Sequence, residues 1–88
     1  MESEERMQLL GAMHAMQELV AYNLAVTFKL YGLTPEQAFD RIASVSAVVE
    51  QGLIEADNGS AEFSDFVEGA AGAFDRVGKA ARNYLKVV

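Results

Sequence analysis

The sequence predicts an all-α protein, a three-helix antiparallel bundle that forms one domain over residues 1–88. Apolar residues recur at helical spacing over three long stretches, and helix-capping residues separate these stretches. A chain of 88 residues also leaves no room for a second hydrophobic core. We expect the helices at about residues 4–31, 35–56 and 61–87.

The first predicted helix is long and apolar over most of its circumference. Its narrow polar stripe consists of Glu4, Gln8, Gly11, Ala15, Glu18, Ala25 and Lys29. A helix that faces one core needs an apolar stripe of only about 100°. The wider apolar surface therefore predicts a second partner surface, and we expect a homodimer to complete the bundle. We place its seam at Met13, Met16, Val20, Tyr22, Val26 and Leu30.

Capping signals set the predicted helix ends. Ser3 is the expected cap of the first helix, and Gly32 suits the left-handed conformation that ends it. Thr34, Pro35 and Gln37 form the pattern of a capping box with proline at the first helical position. The second helix is amphipathic. Residues 57–60 then read as a turn by composition, and Ser60 is expected to cap the third helix.

The third helix carries an apolar seam whose members alternate at spacings of four and three residues, which is typical of left-handed helix packing. The seam consists of Phe63, Val67, Ala70, Phe74, Val77, Ala81, Tyr84 and Val88. Small residues lie in the middle of this helix, at Gly69, Gly72 and Ala73. They predict a packing groove that accepts bulky side chains of the first helix.

Charge and composition argue against several classes of protein. The formal net charge is −6, whereas binders of nucleic acids and of anionic membranes rely on clustered lysine and arginine. The apolar run from Leu19 to Phe28 is too short to span a membrane, which takes about 20 residues. The chain has no cysteine and begins with an acidic segment. We therefore expect a cytoplasmic protein with neither a membrane nor a nucleic acid as partner.

The sequence offers little for catalysis or metal binding. His14 and Glu18 share a helix face and would make half of a metal site that a dimer could complete, but a di-iron bundle needs glutamate where Gly11 stands. The acids Asp57 and Glu68 have the separation of a calcium loop, yet Gly59 and Ala61 lack its inner ligands. We expect no catalytic residue, no metal site and no cofactor.

One basic strip stands out against the acidic background. Arg76, Lys79 and Lys86 share a face near the end of the third helix, where cations also complement the helix dipole. A polyanion, if one binds, would dock there.

The functional interpretation is a non-enzymatic helical protein that acts by self-association and by binding other proteins. The alternative is an acidic inhibitor or adaptor, of the type found in phages and mobile elements, that docks on a basic surface of a larger complex. The acidic residues are spread over three regions of the chain and form no dense patch. We therefore prefer self-association.

Overall fold

Residues 2–56 and 59–88 are described by a computed structural model, and they form three α-helices without any strand. The helices are α1 (Ser3–Leu30), α2 (Pro35–Glu55) and α3 (Ala61–Leu85). The all-helical class and the number of helices are thus confirmed. The first half of the predicted turn, Asp57 and Asn58, lies outside the described residues.

The caps of α2 and α3 follow the sequence signals closely. Thr34 Oγ1 accepts a hydrogen bond from the Gln37 backbone N–H at 3.1 Å, and Gln37 Oε1 accepts one from the Thr34 N–H at 2.9 Å. Ser60 Oγ accepts from the Phe63 N–H at 3.0 Å. Gly32 has a φ of 76°, which only glycine adopts freely, so α1 ends here as predicted.

The expected cap of α1 is wrong. Ser3 is itself the first helical residue, Glu2 occupies the cap position, and no side chain caps the helix. The acidic first turn, with Glu4 and Glu5, still complements the positive end of the helix dipole.

The core holds α3 between the other two helices. One cluster joins Ala21, Ile42 and Ala81, and a second joins Ala25, Ala38 and Leu85. Between the two clusters, α1 runs from Ala21 to Ala25 and α3 from Ala81 to Leu85, whereas α2 runs the opposite way, from Ile42 back to Ala38. Near the core, α2 is therefore antiparallel to α1 and α3. The helix α3 lies in the middle, in contact with both others.

The arrangement is flat and open. The chain measures 42 × 35 × 13 Å along its principal axes, so it is thin in one direction. Its radius of gyration is 15.0 Å, against about 12 Å for a compact domain of this length. A link as short as residues 31–34 favours two antiparallel helices that pack along their lengths. Instead, α1 and α2 diverge from this link.

The polar stripe of α1 faces solvent near both ends of the helix but not along its whole length. Ala25, which the sequence places in that stripe, is completely buried, and so is Ala21. Glu18 is half-buried against α3, while large apolar residues elsewhere on α1 are exposed. The interpretation failed because alanine tolerates both environments, so a stripe of alanines and a few polar residues can also form a close helix contact.

Within the described residues, no helix has the length and apolarity needed to cross a membrane.

Candidate functional site

The divergence of α1 and α2 opens an apolar groove, whose floor is α3. The groove has a volume of about 300 Å³. Its lining is formed by Val20, Leu24, Phe28, Arg41, Ile42, Val45, Ala73, Phe74 and Val77. Arg41 is the single charged side chain in this lining. We call this surface the groove face.

An exposed aromatic residue extends the groove face along α3. Phe66 is 60% exposed, and its ring stacks on that of Phe63 with centroids 6.1 Å apart. Phe66, Ala70, Ala73 and Val77 are separated by four, three and four residues, so they lie in one line along the helix. Phe66 lies beside the heptad seam and was therefore not predicted as a site residue, but its spacing from Val77 was a usable signal.

The six residues predicted for self-association are all exposed, but they occupy two sides of α1. Val20 lines the groove, and Met16 and Met13 precede it by four and seven residues on the same face. Tyr22, Val26 and Leu30 follow one another at spacings of four on a different face. Val20 and Tyr22, two residues apart, point in nearly opposite directions. One flat interface cannot contain the whole set.

The packing groove predicted at Gly69, Gly72 and Ala73 does not receive side chains of α1. Among the described residues, no atom lies within 4 Å of a Cβ built at Gly69, and at Gly72 the only such neighbours belong to Arg76. Ala73 lines the groove face instead. Gly69 is exposed and Gly72 is half-buried, because the first half of α1 does not cover the first half of α3.

Close glycine packing occurs further along α3, at Gly78. A Cβ at this position would lie 3.3 Å from two ring carbons of Phe39 and 3.5 Å from Ile42 Cγ2. At Gly78 the nearest side chains belong to α2, so this glycine lets α3 approach α2 closely.

A second, polar groove of about 480 Å³ separates α1 from α3. It brings the His14–Glu18 pair of α1 together with two cations of the basic strip of α3. Its lining consists of His14, Gln17, Glu18, Arg76, Lys79, Ala80, Asn83, Tyr84 and Val87. Arg76 Nε donates a hydrogen bond to Gln17 Oε1 at 3.2 Å. Lys79 pairs with Asp75 at 2.9 Å.

These pairings bear on the basic strip proposed as a polyanion contact. Arg76 and Lys79 both line the polar groove, whereas Lys86 is exposed at the C-terminal cap of α3. The carboxylates of Glu18 and Asp75 lie among these cations. The strip is therefore of mixed charge, which weakens its attraction for a polyanion.

The pair considered for metal binding makes a different set of contacts. His14 Nε2 lies 3.7 Å from Glu18 Oε1, and the other oxygen, Oε2, accepts a hydrogen bond from the Tyr84 hydroxyl at 2.7 Å. Residues 2–56 and 59–88 contain no group of three or more histidine, cysteine or acidic side chains that could hold a metal ion.

The Glu18–Tyr84 hydrogen bond perturbs the tyrosine. It raises the pKa of the Tyr84 phenol above its ordinary value, and desolvation and the negative charge of Glu18 act in the same direction. Tyr22 packs its ring edge-on against Tyr84, with centroids 5.6 Å apart. These contacts anchor α1 to the last turns of α3.

A Tyr84→Phe variant tests this anchor through its pH dependence. Because the folded-state pKa is raised, the hydrogen bond contributes fully below the unfolded-state pKa of about 10 and is lost as the pH rises through the folded-state value. We expect Tyr84→Phe to lower the thermal midpoint at pH 7 and to flatten its alkaline decline above pH 10. Tyr31→Phe, at an exposed ring, is the control. Parallel alkaline declines in wild type and Tyr84→Phe would contradict the assignment.

Comparisons with known proteins identified no relative of this chain. No family model matches the chain, and neither the curated proteins nor the solved structures gave a match.

Proposed function

We propose that this chain is a non-enzymatic helical protein that acts through self-association, and that two copies form a homodimer. The observation that carries the proposal is the flat arrangement of the helices, 13 Å in its shortest dimension, with the apolar groove face uncovered. Domains are built from two or more packed layers because a helix must bury its apolar stripe against another element. A second copy would supply such an element for the groove face.

The surface area supports association. The chain exposes 6258 Å², about 1,200 Å² more than a compact monomer of its mass is expected to expose. Two copies that each covered this excess would bury roughly 2,400 Å², which lies within the range of obligate homodimers, about 2,000–5,000 Å². The excess exposed area therefore matches the interface of a stable dimer.

The small core points in the same direction. Six residues form the buried core, four of them alanines, and no large side chain is completely buried within the described part of the chain. Small domains gain stability by association when their own core is insufficient. Each large groove residue would contribute roughly 1.5–3 kcal/mol on full burial. Several such residues per chain offset an association cost of about 4–15 kcal/mol.

The test is the molar mass in solution, measured by light scattering on a sizing column over a hundredfold dilution. We expect a mass twice the 9.5 kDa of the chain across this range. A mass of 9.5 kDa at every concentration would refute self-association. The groove face would then be the site to examine for a different protein partner, as an adaptor would require.

A further inference from the structure

The groove face has a regular arrangement about one residue of α3. Phe66 lies four residues before Ala70 and Phe74 four residues after it, while Phe63 and Val77 lie seven residues before and after. Large apolar side chains are therefore placed symmetrically about a small one. This pattern suits two copies of the same helix that cross in opposite directions, because a two-fold axis brings a surface against itself.

We propose that a second copy of this chain docks face to face on the groove face, with the two α3 helices crossing at Ala70 and Phe66 of each copy inserted into the groove of the other. This inference rests on the proposed self-association and specifies its geometry. An axis at Ala70 places Phe66 of one copy opposite Phe74 of the other, and Phe63 opposite Val77. Phe74 and Val77 line the groove, so the exposed ring meets the cavity.

The chemistry of this face favours a second copy. The groove provides a hollow of about 300 Å³, and the same face provides the protruding ring of Phe66. A surface that carries both a cavity and a side chain to fill it is self-complementary. Alanine at the proposed crossing point lets two helix backbones approach closely.

Electrostatics permits the same arrangement despite the net charge of −6 on each chain. Arg41 is the single charged residue among the lining residues of the groove, and no carboxylate is among them. The polar groove, with its mixture of cations and carboxylates, belongs to a different surface between α1 and α3. The proposed interface therefore leaves the charged groups of that groove in water.

The absence of cysteine makes a direct test simple, because one introduced thiol is the only thiol in the chain. The Ala70→Cys substitution places two thiols across the proposed axis, where a disulfide requires Cα atoms about 4.4–6.8 Å apart. Ser64→Cys is the matched control, exposed on the same helix but about 120° around it from Ala70. Under mild oxidation, we expect Ala70→Cys to form a linked dimer at least tenfold faster than Ser64→Cys.

Phe66→Asp provides a second readout that does not depend on disulfide geometry. Because Phe66 is exposed in the single chain, the variant should keep its helical circular dichroism but show at least a tenfold larger dimer dissociation constant. Gln51→Asp is the control: Gln51 is exposed and lies about 120° around α2 from the groove residue Val45, so this substitution should leave the dissociation constant unchanged. Helicity measured on each variant separates dissociation from unfolding.

The outcomes distinguish the two proposals. A wild-type chain that is monomeric at all concentrations removes both self-association and this interface. A wild-type dimer that retains its affinity in Phe66→Asp, with equal linking rates for the two cysteine variants, overturns the groove-face geometry alone. Preferential linking at Ala70 together with weaker association of Phe66→Asp supports the geometry.

Discussion

Replacing Ile42 with alanine is expected to lower the free energy of unfolding by about 2–5 kcal/mol. Ile42 is 6% exposed, belongs to the cluster with Ala21 and Ala81, and is the largest side chain in that cluster. A chain of 88 residues has a total stability of roughly 4–13 kcal/mol, so this one change should remove a large part of it. Thermal and urea unfolding at a fixed protein concentration would measure the loss.

Val48→Ala is the control for this prediction. Val48 is 74% exposed on the same helix, so its truncation should change stability by no more than about 0.5 kcal/mol. Equal effects of the two substitutions would mean that the contact of α2 with α1 and α3 does not depend on Ile42.

Replacing Gly78 with leucine is expected to destabilise the fold by about 1–3 kcal/mol or more through overpacking. The added side chain would collide with the Phe39 ring and with Ile42, which already lie at contact distance from a Cβ at this position. Gly11→Leu is the matched control, because no atom lies within 4 Å of a Cβ at Gly11 among the described residues. There the helix propensity of leucine should stabilise α1 by up to about 1 kcal/mol.

The same contact predicts non-additivity. Combining Gly78→Leu with Ile42→Ala creates space where the leucine needs it, so the double variant should be less destabilised than the sum of the two single effects. Strict additivity, or a Gly78→Leu variant as stable as the wild type, would show that α3 does not approach α2 closely at Gly78.

Much of the fold was predictable because its signals are local. The capping box at Thr34 and Gln37, the cap at Ser60 and the left-handed Gly32 each act within a few residues, and these residues define where α2 and α3 begin and where α1 ends. The seam of α3 was also visible, since its residues are half-buried or buried in the structure. Interactions within a few residues of the helix ends thus made these ends predictable from the sequence.

The packing of the elements was less accessible. Alanines at positions 21 and 25 carry no pattern that distinguishes a close contact from a solvent face, so the buried side of α1 was assigned wrongly. No side chain of α1 fills the groove expected at Gly69 and Gly72, because which small residues of α3 are approached depends on the angle between the helices. That angle places Gly78 against α2 and leaves Gly69 open. The identity of a single side chain cannot specify this angle between the helices.

The uneven burial along α1 has a consequence for its motion. Residues 3–16 are exposed throughout, whereas the later turns hold the buried Ala21 and Ala25. Isolated helices shorter than about 12–15 residues are marginal in water. The first four turns therefore depend on continuity with the anchored turns for their helicity, and local opening should begin at the N-terminal end and stop near Glu18. One continuous helix would thus contain both slowly and rapidly exchanging amides.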